Sequence, residues 1–166
     1  MTATRIEKAT IEADPNLPLI RITRDFRATP AQLHRAHTDP ELFARWVGPD
    51  GLDTLVQAWD ARDGGEWRYV ARPSGAPEGG EEYGFRGCFH TVREGLIVQT
   101  FTFEGMPDDV SLETLRFEDL GDGWTRLHAQ SLVDSLEGRD AWLKSGMEVG
   151  VDQGYAKLQT LVDGLG

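Results

Sequence analysis

Six stretches of alternating side chains, cut apart by glycine-rich turn signals, fill the middle of this chain, and a glycine-spaced amphipathic segment closes it. The stretches run from Thr54 to Arg62, Glu66 to Arg72, Tyr83 to Val92, Leu96 to Glu104, Val110 to Glu118 and Trp124 to Val133. Between them stand Asp63-Gly64-Gly65, the segment from Pro73 to Gly80, Glu94-Gly95, the segment from Gly105 to Asp109, and Gly121-Asp122-Gly123. Such residues reverse the backbone at little cost, and consecutive hairpins of this kind build an antiparallel meander. Leu19 to Phe26 alternates in the same way, so the pattern predicts seven strands.

Two short helices are predicted between that first strand and the meander. Thr29 is a plausible N-cap, Pro30 suits a first helical position because it has no donor to waste, and Gln32 completes a capping box. Asp39-Pro40-Glu41 repeats the start signal, and Leu42, Phe43 and Trp46 supply an apolar turn that ends at Gly48-Pro49. This helix-turn-helix pair need not imply DNA binding.

Strand alternation assigns faces. Trp67, Tyr69 and Ala71 share one side; Gln99, Phe101 and Phe103 share one; Leu115 and Phe117 are set against Glu113, Arg116 and Glu118. A sheet with an aromatic face needs a cover. Leu143, Met147, Val151, Tyr155, Leu158, Leu161, Val162 and Leu165 recur at three- and four-residue intervals, the stripe of an amphipathic helix. Ser145 with Glu148 matches a capping box, and Leu136 to Lys144 reads as an earlier helical stretch. Gly146, Gly150 and Gly154 weaken such a helix by roughly 1 kcal/mol each. Either the helix packs closely on bulky sheet residues such as Trp67 or Phe101, or the missing side chains leave a cavity.

A chain of 166 residues with 39% apolar content can bury one core without disulfides or metal. The reading is a single α+β domain over residues 17–166, with residues 1–16 as a tail or a peripheral strand. A net charge of -11 repels nucleic acid and anionic lipid alike. Met1 to Asn16 lacks the apolar core of a signal peptide, and no segment approaches a membrane span, so the cytoplasm is the expected compartment. The lone Cys88 is expected to be buried and inert.

No motif for nucleophilic, phosphate or zinc chemistry is present, and neither cofactor nor metal is expected. His34 and His37 stand three apart on the first short helix, and solvated helix surface is the reading adopted for them. His90 and His128 fall in strands, His128 facing outward. Gln99, the hydroxyls of Tyr69 and Tyr155 and the indole of Trp67 are the polar groups expected to orient a ligand on the aromatic face.

Several segments together resemble a known family. They are Ala28-Thr29-Pro30, Thr38-Asp39-Pro40-Glu41 running into Phe43-Ala44-Arg45-Trp46-Val47-Gly48-Pro49, Gly64-Gly65 before Trp67-Arg68-Tyr69, Tyr83-Gly84-Phe85-Arg86-Gly87, and Gly146-Met147-Glu148-Val149-Gly150 through Leu158. They look like the bacterial homologues of the activator of heat-shock-protein-90 ATPase, within the START-like, or SRPBCC, superfamily of helix-grip proteins. The likeness runs from about residue 19 to 163. It implies a curved antiparallel sheet with a long C-terminal helix across its concave face and an apolar cavity between them. Trp46-Val47 departs from relatives that often carry a second tryptophan, which alters the pocket mouth.

The residues expected to line that cavity are Trp46, Trp67, Tyr69, Phe85, Gln99, Phe101, Phe103, Phe117, Met147, Val151, Gly154 and Tyr155. The expected function is binding of a small hydrophobic molecule, as a carrier or a stress-related sensor. One alternative is a cyclase-like or hydrolase-like enzyme using Tyr69 or His90 as acid or base. The other is a protein-binding module of co-chaperone type. An antiparallel edge strand leaves a homodimer open.

Overall fold

Turn chemistry and alternation produce, in the computed structural model, an open antiparallel sheet; the structure describes residues 4–165. The strands are β1 (Thr10–Ala13), β2 (Leu19–Arg27), β3 (Leu52–Trp59), β4 (Glu66–Pro73), β5 (Tyr83–Arg93), β6 (Leu96–Phe103), β7 (Ser111–Gly121) and β8 (Trp124–Leu132). The helices are α1 (Pro30–Thr38), α2 (Pro40–Trp46), α3 (Leu136–Lys144) and α4 (Met147–Asp163). The spatial order is β1-β2-β8-β7-β6-β5-β4-β3. There are thus eight strands among the described residues, not seven. The addition is β1, which pairs with β2 from Thr10↔Thr23 to Ala13↔Ile20. Its side chains are mostly exposed, so it carries little of the apolar alternation that marks the others.

Both short helices start as their sequences direct. The Thr29 hydroxyl accepts from the Gln32 amide at 3.2 Å while the Gln32 side chain accepts from the Thr29 amide at 2.9 Å. Asp39 caps α2 through the amides of Glu41 and Leu42. The long helix starts differently. Gly146 stands at its N-cap with φ 89°, a left-handed conformation that no capping box uses. Ser145 instead ends α3, its hydroxyl donating to the Trp142 carbonyl at 2.6 Å. Gly146 therefore lies outside the helix and costs it nothing.

Phe26, Leu33, Ile97, Leu127 and Leu158 are fully enclosed between the sheet and its cover of α1, α2 and α4. The opposite face carries charge pairs. Arg68 forms a bidentate pair with Glu104 at 2.9 and 2.7 Å. On the same strand face as Arg86 and His90, Cys88 is exposed, contrary to the expectation of burial. Its odd-even position, not its chemistry, decides this.

One charge on that outer side is not exposed. Asp25 accepts from Arg126 Nε at 2.7 Å and from an Arg126 terminal nitrogen at 2.9 Å, and also from the Ile6 amide at 2.9 Å. Burial pushes its carboxyl up, but the Arg126 guanidinium and the Ile6 amide outweigh it and hold the pKa below the usual carboxylate range. The N-terminal segment is thereby fastened over the sheet by a charged knot.

Candidate functional site

The concave face and α4 do not meet everywhere. A partly enclosed cavity of about 270 Å³ lies between them, close to the lower end of known small-molecule pockets. A larger depression of about 590 Å³ is an open groove along the far side of α4, lined by Arg45, Asp50, Asp152 and Lys157 and by no aromatic ring. The aromatic cavity is the better candidate site.

Of the residues expected to line it, Trp46, Trp67, Tyr69, Gln99, Phe101, Met147, Val151, Gly154 and Tyr155 do so. Phe85, Phe103 and Phe117 do not. Phe85 stacks on the outer edge of Tyr69 and leans on Phe103, a layer away from the cavity. Phe103 also sits against Tyr83, where β6 runs out. Phe117 is buried beneath α1, edge-on to His34 and His37. Alternation had given each the correct face, but a face is longer than the cavity on it.

Those contacts also correct the reading of the two helix histidines as solvated surface. His37 is buried, its Nδ1 2.8 Å from the Leu33 carbonyl and its ring tilted against Trp46, and it lines the cavity. Burial takes its pKa down to about 4, against the opposing effect of that hydrogen bond, so the ring is neutral. His34 is half-buried and also lowered, first by burial. His90 is exposed on the other face of the sheet, with Nδ1 2.8 Å from the Thr91 hydroxyl, and plays no part in the cavity. His128 faces outward beside Glu118.

Gly154 is in contact with backbone. A Cβ there would lie 3.3 Å from the Trp46 carbonyl oxygen and 3.5 Å from the Gly48 amide nitrogen. The close approach is to the end of α2, not to Trp67 or Phe101 on the sheet. Gly154 lets α4 cross that end tightly, and the space opens beside it, toward Val151 and Met147.

The residue missed from sequence is Glu113. It shares parity with Leu115 and Phe117 and therefore belongs to the inner face, not the charged one. Register completes the group: Gln99 lies directly across from it on β6 and Ser131 directly across on β8. Gln99 Nε2 donates to Oε1 at 3.0 Å, and the Ser131 hydroxyl donates to Oε2 at 3.1 Å. Gln99, expected to meet a ligand, thus holds Glu113 in place. Although deeply surrounded, Glu113 keeps part of its surface accessible, because that surface faces the cavity.

Burial raises the Glu113 carboxyl above the usual range, and the bonds from Gln99 and Ser131 only partly offset it. The phenols of Tyr69 and Tyr155 are raised by burial and then by the nearby Glu113 charge, Arg24 opposing the rise at Tyr155. A carboxyl raised in the folded state binds its proton more tightly there. Its contribution is therefore complete in acid and is lost as pH climbs from the unfolded carboxylate range through the folded value. Glu113→Gln is expected to match wild type in acid and to exceed it by on the order of 1 kcal/mol near neutral to mildly alkaline pH. Urea midpoints across pH check this; a variant less stable than wild type on the alkaline side contradicts it.

A curved antiparallel sheet gripping a C-terminal helix across an internal cavity defines a helix-grip protein. The chain belongs to the family described as Activator of Hsp90 ATPase homolog 1-like protein, whose model matches residues 27–163. Among solved structures it is similar to a protein from Rhodobacter sphaeroides, with a TM-score of 0.82 and 25% identity over 95% of this chain and 99% of that one. A protein from Arthrobacter aurescens gives a TM-score of 0.81 at 20% identity, over 93% of this chain and 91% of that one. The AHSA1 protein from Silicibacter pomeroyi gives 0.71 at 20% identity, over 89% and 99% of the two chains. A search of curated protein sequences finds no match.

Proposed function

We propose that this protein binds a small, largely apolar molecule in the cavity between the sheet and α4, as a carrier or sensor. The observation that carries the reading is the composition of the wall. Aromatic rings from β3, β4, β6, α2, α3 and α4 converge on one space, and a compact polar group sits within it. Apolar burial at roughly 25 cal/mol per Å² gives such a space useful affinity for a small hydrophobe.

Four of the five tryptophans, Trp46, Trp59, Trp67 and Trp142, line the cavity, and Trp124 alone stands apart. Tryptophan emission is thus expected to report occupancy. Titration with small aryl-alkyl compounds should change it saturably in the wild type, and Val151→Trp, which projects bulk into the space, should abolish the saturable change. Emission that stays flat for every compound, or responds equally in the variant, counts against the reading.

An enzyme in the same cavity is the second reading, and Glu113 favours it. A buried carboxyl with a raised pKa, facing a ligand-sized space, has the properties of a general acid or base. Glu113 replaces His90 in that role. Docking of the kind the family name describes draws support from exposed apolar side chains such as Val110 and the outer pair Leu112 and Leu132, and the internal volume runs against it.

A further inference from the structure

Resting on that reading of the cavity, we infer that its occupant is a lipophilic cation: a small aryl- or alkyl-ammonium whose nitrogen lies against Glu113 and whose carbon body fills the aromatic enclosure. Two features of the wall select this class. First, Glu113 is the only carboxylate in the lining among the described residues, no lysine or arginine shares it, and the other ionisable lining groups, His37, Tyr69 and Tyr155, are held neutral by burial. Its partners, Gln99 and Ser131, are neutral donors that hold one bond on each oxygen and leave the carboxylate without a counter-charge. A buried charge in this state is costly until an opposite charge reaches it.

Second, the enclosure is built of rings whose faces are electron-rich. Phe43, Trp46, Trp59, Trp67, Tyr69 and Phe101 line it, with Trp142 and Tyr155 completing the cover. A cation is attracted to such faces by the ring quadrupole, most strongly where water is excluded, and an anion or a neutral group is not. An anionic ligand would also set two negative charges together. Ring faces and carboxylate act in the same direction.

The groups facing Glu113 keep its charge uncompensated from every side. Tyr69 from β4 and Tyr155 from α4 are phenols held neutral, and His37 from α1 is a neutral imidazole. β6 and β8 offer Gln99 and Ser131, while α2 and α3 offer only rings and aliphatic surface. Arg24 donates to the Tyr155 carbonyl at 2.8 Å and lies outside the lining. Where free Glu113 holds its proton, binding exchanges it: the carboxylic acid and the ammonium become a carboxylate–ammonium pair, and one proton passes to solvent.

The test is calorimetric titration with matched probes on the same skeletons: 2-phenylethylammonium against 2-phenylethanol and 3-phenylpropionate, and tryptammonium against tryptophol and indole-3-propionate. Each ammonium is expected to bind at least about tenfold more tightly than its alcohol and its carboxylate. Measurements in two buffers of different protonation enthalpy, repeated as the pH is lowered, should show proton release that grows as free Glu113 takes up its proton. Glu113→Gln should erase the preference for ammonium while keeping affinity for the alcohols; the wild-type ranking stands even if that variant folds poorly. Alcohols or carboxylates binding as tightly as their ammonium counterparts would overturn the inference and leave the cavity reading intact. Silence of the whole panel would overturn both.

Discussion

Arg126→Met is expected to destabilise the fold by about 3–5 kcal/mol. The substitution keeps an apolar stem but leaves the Asp25 carboxylate, whose side chain is fully enclosed, with only the Ile6 amide as partner. Breaking one side of a buried ion pair is costly because the remaining charge has no water and only the weaker influence of Arg5 to compensate it. The double variant Asp25→Leu with Arg126→Met removes both charges and should recover much of the loss. The sign of the pH dependence is fixed by the lowered pKa of Asp25. Its contribution is present above the unfolded carboxylate range and is lost as pH falls through the folded value, so the gap between wild type and Arg126→Met should narrow in acid. Urea unfolding at several pH values measures all of this, and a single-variant loss below about 1 kcal/mol would contradict the account.

The other large effect is expected at Gly87. A Cβ there would run into the Thr100 carbonyl oxygen and come within 2.7 Å of the Trp67 ring. Gly87 is paired directly with Trp67 across β4 and β5, so the indole lies over bare backbone. Gly87→Ala should therefore cost about 3 kcal/mol, since both neighbours belong to the sheet and neither is a flexible side-chain end. It should also move Trp67 off its stacked position on Tyr69 and change the cavity wall. Thermal unfolding gives the first quantity and indole NMR shifts the second. A stable variant with an unmoved Trp67 signal would show that the strand relaxes more easily than this packing implies.

Gly87 also shows what kind of information the chain carries openly. The Tyr83-Gly84-Phe85-Arg86-Gly87 motif is readable as a family likeness, but its reason is spatial: Gly84 admits the Glu104 carboxylate from the turn after β6, and Gly87 admits the Trp67 indole from β4. Most local signals were legible, the Ser145–Glu148 capping box being the exception because Ser145 closes α3 and Gly146 opens α4. Thr29, Asp39 and the Gly-Asp turns act within a few residues, and they bound the elements that the sequence assigns to them. Alternation likewise separates the aromatic face from the charged one, because it depends only on parity. The family assignment follows from the order of those signals along the chain.

Where the outcome depends on residues distant in sequence, the reading fails in particular ways. His37 reads as surface because a short helix with arginine and glutamine looks solvated; only α2 and β7 closing on it, with Trp46 and Phe117, bury the ring. Phe103 and Phe117 have the correct face but the wrong position along it. Glu113 was the most consequential omission, and parity alone could have found it: an acid in step with Leu115 and Phe117 must enter the core side of the strand. What parity could not supply is the register that brings Gln99 and Ser131 to its two oxygens. The spacing of Gly154 is visible in sequence, yet its neighbour, the end of α2, is not.

The account stands on the space beneath α4 admitting a guest. Met147 places a thioether methyl in that wall, while Met106 is exposed in the turn after β6. Methyl-labelled methionine NMR during titration with 2-phenylethylammonium and tryptammonium should therefore move the Met147 signal saturably and leave the Met106 signal in place. A Met147 resonance that never moves, or one that moves only in parallel with Met106, would contradict the cavity as a binding site.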